Sequence, residues 1–113
     1  MTVTIYHNPR CSKSRQTLEL LRENGVEPTI VEYLETPPSA SELTAILAKL
    51  GKTAAEIVRN KEAVEEGIDV ATLDNEALIK ALAAHPRAIE RPIVVNGDKA
   101  AVGRPPESVL DIL

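Results

Sequence analysis

Strand-forming runs stand near the two ends of this chain, and the stretch between residues 35 and 92 holds none. That distribution limits the folds open to it. Val3-Thr4-Ile5-Tyr6 alternates and is rich in β-formers, which predicts a strand. Asn8-Pro9 breaks it. From Ser12 to Asn24 the pattern turns helical, with Leu18 and Leu21 on one face and Gly25 placed as the stop. Thr29-Ile30-Val31-Glu32-Tyr33-Leu34 predicts a second strand, ended by Pro37-Pro38. One helix's length separates the two strands, so they are expected to pair in parallel through a right-handed crossover.

The middle third reads as helix. Ser39 and Glu42 have capping-box spacing, followed by Leu43, Ile46, Leu47 and Leu50 at helical intervals, with Gly51 as the stop. Thr53 and Glu56 open a further helical turn, and Leu73 to Ala84 predicts another helix, closed by His85-Pro86. Ile93-Val94-Val95 and Ala100-Ala101-Val102 then flank Asn96-Gly97, a strong hairpin signal, here with a loop expected to run on through Asp98-Lys99. Pro105-Pro106 starts a last short helix. The order is β-α-β, a helical insert, then β-β-α. It is compatible with an α/β fold of the thioredoxin-like (glutaredoxin-like) kind: a mixed four-stranded sheet with a helical insertion between strands 2 and 3.

The 113 residues predict a single domain, 1–113, large enough for one modest core. No apolar stretch approaches the ~18 residues of a membrane span, and Met1-Thr2-Val3-Thr4-Ile5 is not a signal peptide, so no membrane association is expected. A single cysteine cannot form an internal disulfide, which predicts a reducing, cytoplasmic setting. Net charge is −4, from 13 basic and 17 acidic residues, and the aromatics are Tyr6 and Tyr33 alone. Both facts argue against nucleic-acid binding, which wants a broad positive surface or a stacking platform. An anion would have to be held by a local group of arginines.

Cys11 lies immediately before the first predicted helix. Free amides and the positive end of the helix dipole favour an anion there, so the position predicts a lowered thiol pKa. Arg10, Lys13 and Arg15 push the same way, and the hydroxyls of Ser12 and Ser14 can donate to sulfur. His7 either favours the thiolate as a cation, relays a proton, or is a loop histidine bonded to backbone; the residues leave all three open. His85, before a proline at a helix end, reads as structural. One cysteine and two scattered histidines do not make a metal site, and none is expected. Arg91 precedes Pro92 and the third strand, and a thioredoxin-like sheet would bring it beside Cys11. Arg104 follows Gly103 just after the fourth strand, and Arg59 sits in the helical insert. The planar fork of arginine suits tetrahedral oxyanions.

Tyr6-His7-Asn8-Pro9-Arg10-Cys11-Ser12-Lys13-Ser14-Arg15 closely resembles the nucleophile loop of the glutathione- and glutaredoxin-dependent arsenate reductases. The likeness continues through Tyr33-Leu34-Glu35-Thr36-Pro37-Pro38 and Val58-Arg59-Asn60-Lys61, then Glu90-Arg91-Pro92-Ile93-Val94-Val95 and Gly103-Arg104-Pro105-Pro106. It covers essentially the whole chain. The resemblance implies a thioredoxin-like fold with a helical insertion. It makes Cys11 the nucleophile, Arg59, Arg91 and Arg104 the oxyanion-binding arginines, and His7 the loop histidine that influences the cysteine's ionisation. Ser14 and Arg15 fall within the matching loop, and Pro92 matches the proline that follows a cis peptide bond. The implied chemistry is attack of the Cys11 thiolate on arsenate, then attack by glutathione as co-substrate, reduction by glutaredoxin and release of arsenite, with no bound cofactor. The chain ends at Leu113 and resembles a shorter chromosomal branch lacking the C-terminal tail of the plasmid-type enzymes.

Three other readings compete. Spx-type regulators that bind RNA polymerase share the fold, but their redox switch resembles Cys-x-x-Cys, whereas this chain has Cys11-Ser12-Lys13-Ser14. The tyrosine-phosphatase signature resembles Cys-x5-Arg, but position 17 here is Thr17. A monothiol glutathione-linked oxidoreductase acting on another electrophile differs from the leading reading only in its substrate.

Overall fold

A computed structural model describes residues 2–113. Two compact units are distinguished: the chain up to Thr36 together with Arg91–Leu113, and the helical stretch Pro37–Glu90. The first contains every named strand: β1 (Val3–His7), β2 (Thr29–Glu32), β3 (Ile93–Asn96) and β4 (Lys99–Val102), with α1 (Ser12–Glu23) between β1 and β2. The strand order is β2-β1-β3-β4. β1 and β2 pair in parallel, His7 opposite Glu32, while β1–β3 and β3–β4 are antiparallel. This is the mixed thioredoxin-like sheet that the segment order predicts.

Alternation along β1 sends Val3 and Ile5 into the core and leaves Thr4 and Tyr6 half-buried. There they meet Leu21, Val94 and Val109, with Leu18, Val26, Ala101 and Ile112 packed around them. Burying each such aliphatic side chain contributes about 1.5–3 kcal/mol, which fixes α1 against the sheet. The helix stops where Gly25 takes φ +79°, and Val26 N–H donates to the Leu21 carbonyl at 2.9 Å.

Two elements of this unit differ from expectation. β2 ends at Glu32 instead of running to Leu34, because the Glu32 carbonyl accepts from both Glu35 and Thr36 and the chain turns there. The hairpin is tighter than predicted. Asn96 pairs with Lys99, leaving Gly97-Asp98 as the loop. Gly97 has φ +63° and, among the described residues, no other residue type has positive φ, so glycine takes the first central position, as a type II′ turn requires. Asn96 is thereby a strand residue, 6% exposed, whose Nδ2 donates to the Ile112 carbonyl at 2.7 Å and ties down the terminal 3₁₀ segment Pro106–Ile112.

The second unit comprises α2 (Ala40–Leu50), α3 (Asn60–Glu65) and α4 (Asn75–Ala84), with 3₁₀ turns at Ala54–Ile57 and Pro86–Ala88. The expected capping box forms between Ser39 and Glu42, and at the expected further turn Thr53 N–H donates to Glu56 Oε1 at 3.1 Å. α4 starts at Asn75, two residues later than predicted, because the Asp74 carboxylate accepts from Ala77 N–H as its N-cap. α3 has no counterpart in the sequence reading. It is only six residues long and buries Ala63 alone, too little for a periodic signal. Among the described residues no helix is long and apolar enough to cross a membrane.

Candidate active site

Cys11 is the N-cap of α1, with the extended backbone (φ −91°, ψ 123°) that an N-cap adopts. The loop before it is built by Asn8. The Asn8 carbonyl accepts from Cys11 N–H at 3.0 Å, its Oδ1 accepts from Arg10 N–H at 3.0 Å, and its own N–H donates to Ser14 Oγ at 3.0 Å. Arg15 Nη1 donates to the Pro9 carbonyl at 2.9 Å. Sequence reasoning took Asn8-Pro9 only as a strand break. The signal that could have marked Asn8 is the readiness of an Asn side chain to bond the backbone two residues on.

Burial by itself pushes the Cys11 thiol up. The amides of Ser14 and Lys13 and the guanidinium of Arg91 outweigh it, so the pKa falls below the ordinary thiol value. No strict cap hydrogen bond runs from the helix to the sulfur, so the amides act as the positive end of the helix, not as a fixed clamp. Arg104 Nη2 lies 3.7 Å from Sγ, while its Nε donates to the Arg91 carbonyl at 2.8 Å. Arg91 and Arg104, thirteen positions apart in sequence, are thus joined to each other and to the nucleophile. The Arg91–Pro92 peptide bond is cis, as is Arg104–Pro105.

The sequence expectation for Ser14 needs correcting in its atom. Ser14 is fully buried and its hydroxyl meets His7 Nδ1 at 2.6 Å while accepting from Asn8 N–H, so its amide, not its hydroxyl, serves the sulfur. His7 is 6% exposed. Burial holds its pKa below the usual value, Arg22 and Arg15 add to the effect, and Glu32 only partly opposes it. The lowered pKa favours the neutral ring near pH 7, and the contact of Nδ1 with Ser14 Oγ ties His7 into the loop.

Gly103 is a second residue that sequence reasoning passed over. A Cβ on it would stand 2.5 Å from Thr17 Oγ1 and 2.8 Å from Pro92 Cγ. Thr17 cannot yield easily, being fully buried with its hydroxyl donated to the Lys13 carbonyl at 2.8 Å. Only glycine lets the strand exit pass between α1 and Pro92 and deliver Arg104. Gly103→Ala is expected to cost about 1–3 kcal/mol in urea unfolding. An unchanged midpoint would mean that Thr17 and Pro92 give way.

Arg59 belongs to the helical unit. Its amide donates to the Ala88 carbonyl at 2.7 Å, and its guanidinium bridges Glu62 (3.2 Å) and Glu90 (3.3 Å). Among the described residues no group of three or more His, Cys, Asp or Glu is arranged to hold a metal ion.

An activated thiol at a helix start, on a thioredoxin-like sheet and faced by two arginines, defines a thiol-based redox protein of the thioredoxin class. Residues 6–112 match the ArsC family, and the chain belongs to that family. It is 54% identical to the uncharacterized protein YfgD of Escherichia coli strain K12, over 98% of this chain and 96% of that one. It is 50% identical to an arsenate reductase of Neisseria meningitidis, over 98% of this chain and 97% of the relative. Its fold superposes on the solved arsenate reductase of Vibrio cholerae with TM-score 0.94, at 47% identity, covering 100% of this chain and 98% of that one.

The sulfur's ionisation is open to direct measurement. Titration of the thiolate absorbance, or the pH dependence of iodoacetamide alkylation, is expected to give a midpoint below the ~8.5 of free cysteine. Since the folded form holds the thiolate, reactivity persists as pH falls and drops only below that lowered midpoint. A midpoint at or above ~8.5 would refute the activation.

Proposed function

We propose that the protein is a glutathione- and glutaredoxin-dependent arsenate reductase of the cytoplasm. The observation that carries this reading is the environment of Cys11: a thiol whose ionisation is favoured, with an arginine nitrogen 3.7 Å from the sulfur and no second cysteine in the chain. Arg91 and Arg104 receive the tetrahedral oxyanion and offset its charge. Arg59 is proposed as a third oxyanion ligand on the strength of its motif. His7, Ser14 and Arg15 hold the loop, and Pro92 shapes the entry to β3.

The thiolate attacks arsenic and one arsenate oxygen departs as water, giving a Cys11–S–As(V) adduct. Glutathione's thiol displaces a second oxygen, also as water. The glutaredoxin thiolate then attacks the glutathionyl sulfur. A glutaredoxin–glutathione disulfide forms, the electron pair of the broken S–As bond stays on arsenic, and As(V) becomes As(III). Hydrolysis of the remaining S–As bond releases arsenite and restores the Cys11 thiolate. NADPH oxidation in the presence of glutathione, glutaredoxin and glutathione reductase tests the reading: it should depend on arsenate. Oxidation driven by another electrophile, with none by arsenate, would transfer the same site to a different substrate.

A further inference from the structure

A cavity of about 270 Å³ opens on the side of the nucleophile loop toward β2, lined by His7, Asn8, Arg10, Glu32, Leu34 and Glu35. The proposed chemistry leaves it unused. Its polar groups are arranged in opposite signs. Glu32 and Glu35 come from the end of β2 and the turn that follows, where the Glu32 carbonyl accepts from Glu35 N–H at 3.0 Å and holds the two residues in one turn. Arg10, one residue before Cys11 on the nucleophile loop, supplies the positive charge among the lining residues.

His7 supplies the feature that marks the cavity as more than a surface dimple. The side chain is more than nine-tenths buried, yet it lines the cavity. Among the described residues its Nδ1 is bonded to Ser14 Oγ, and its Nε2 has no protein partner. Ser14 Oγ accepts from Asn8 N–H and keeps its proton for Nδ1; in that arrangement the hydrogen of the neutral ring stands on Nε2. Nε2 is not sealed from solvent, so it opens on the cavity, where an acceptor that enters can meet it in place of water.

We propose that this cavity is the subsite for the free α-amino-acid head of the thiol co-substrate, the γ-glutamyl end of glutathione. The inference rests on the reading above in taking a γ-glutamyl thiol as the second thiol. The head group carries one ammonium and one carboxylate on the same carbon. Its ammonium fits Glu32 and Glu35, and its carboxylate fits His7 Nε2–H and Arg10. Reach is adequate. A tripeptide spans at most about 10 Å when extended, enough to pass Arg10 and bring its sulfur to the adduct on Cys11. The volume suits the head group and part of the backbone, at the small end of ligand cavities. Pro9 and Leu34 cover the methylenes.

S-methylglutathione and its N-acetyl derivative, which lacks the ammonium, test this by titration into the full-length Cys11→Ser protein followed by NMR. The unmodified ligand is expected to shift the amides of residues 7–10 and 32–35 and to bind about tenfold more tightly than the acetylated one. Glu32→Gln/Glu35→Gln should remove that discrimination while its spectrum stays dispersed. Equal binding of the two ligands, or shifts confined to other residues, would overturn the subsite. Binding requires no turnover, so the two readings fail separately. Ammonium discrimination without arsenate turnover would sink only the substrate, and glutathione-dependent turnover without discrimination would sink only the subsite.

Discussion

Replacing Cys11 with serine is expected to lower arsenate-dependent NADPH oxidation by at least about 10³-fold, the scale on which loss of a covalent nucleophile is felt. A serine hydroxyl at this helix start does not ionise near pH 7, so the amides of Lys13 and Ser14 and the guanidinium of Arg91 have no anion to stabilise. No other residue can substitute, since the chain has one cysteine. The same count sets the demand for an external thiol. A reductase that closes its own cycle needs a resolving cysteine, and the position three beyond Cys11 is Ser14, whose hydroxyl is committed to His7 and Asn8. Turnover is therefore expected with glutathione plus glutaredoxin and to be slight with thioredoxin alone. Residual activity of Cys11→Ser within tenfold of the parent, or full activity with thioredoxin and no glutathione, would overturn the mechanism while leaving the fold untouched.

The second large effect belongs to Arg104. Its alanine variant should lose about 10²-fold in kcat/KM for arsenate, as expected when one preorganised donor to an oxyanion is removed. Arg104→Lys should recover part of the loss, because the charge returns without the planar fork. The two arginines are expected to separate in their effect on sulfur. Arg91 acts directly on the Cys11 thiol and its loss should raise the titration midpoint, whereas Arg104 is poised by the Arg91 carbonyl and its loss should fall mainly on the oxyanion. Arg104 is exposed, so urea unfolding of its variants should match the parent. An unchanged kcat/KM in Arg104→Ala would remove it from the site.

By itself the sequence determined the elements whose signal is local. The alternation of Val3-Thr4-Ile5-Tyr6 and the β-branched run Ile93-Val94-Val95 specified strands through side-chain period. Ser39 with Glu42, and Thr53 with Glu56, specified helix starts because each pair closes its hydrogen bonds between residues three apart. Gly25 and Gly51 specified stops, because a left-handed residue there carries no penalty in glycine. The position of Cys11 ahead of α1 was likewise legible, since its activation draws on the amides of the next few residues.

Tertiary structure decided the rest, because those features depend on what arrives from elsewhere in the chain. Asn96-Gly97 signals a turn in isolation. Pairing of Asn96 with Lys99, and its bond to Ile112, draws the asparagine into the strand and moves the turn one residue on. Arg10, Lys13 and Arg15 were expected to add to the effect of the helix start, but the guanidinium that lowers the thiol pKa is that of Arg91, about eighty positions away, brought there, as a thioredoxin-like sheet implies, by the antiparallel pairing of β3 with β1. His7 could be a cation or neutral in a sequence. Burial, which outweighs the opposing charge of Glu32 on β2, lowers its pKa and favours the neutral ring. The need for glycine at 103 arises only where β4's exit passes between Thr17 and Pro92, three residues distant in sequence that share one contact. Local spacing fixes hydrogen bonds that close within one turn. The identity of a neighbour across the sheet is set by the register of strands that the sequence between them does not specify.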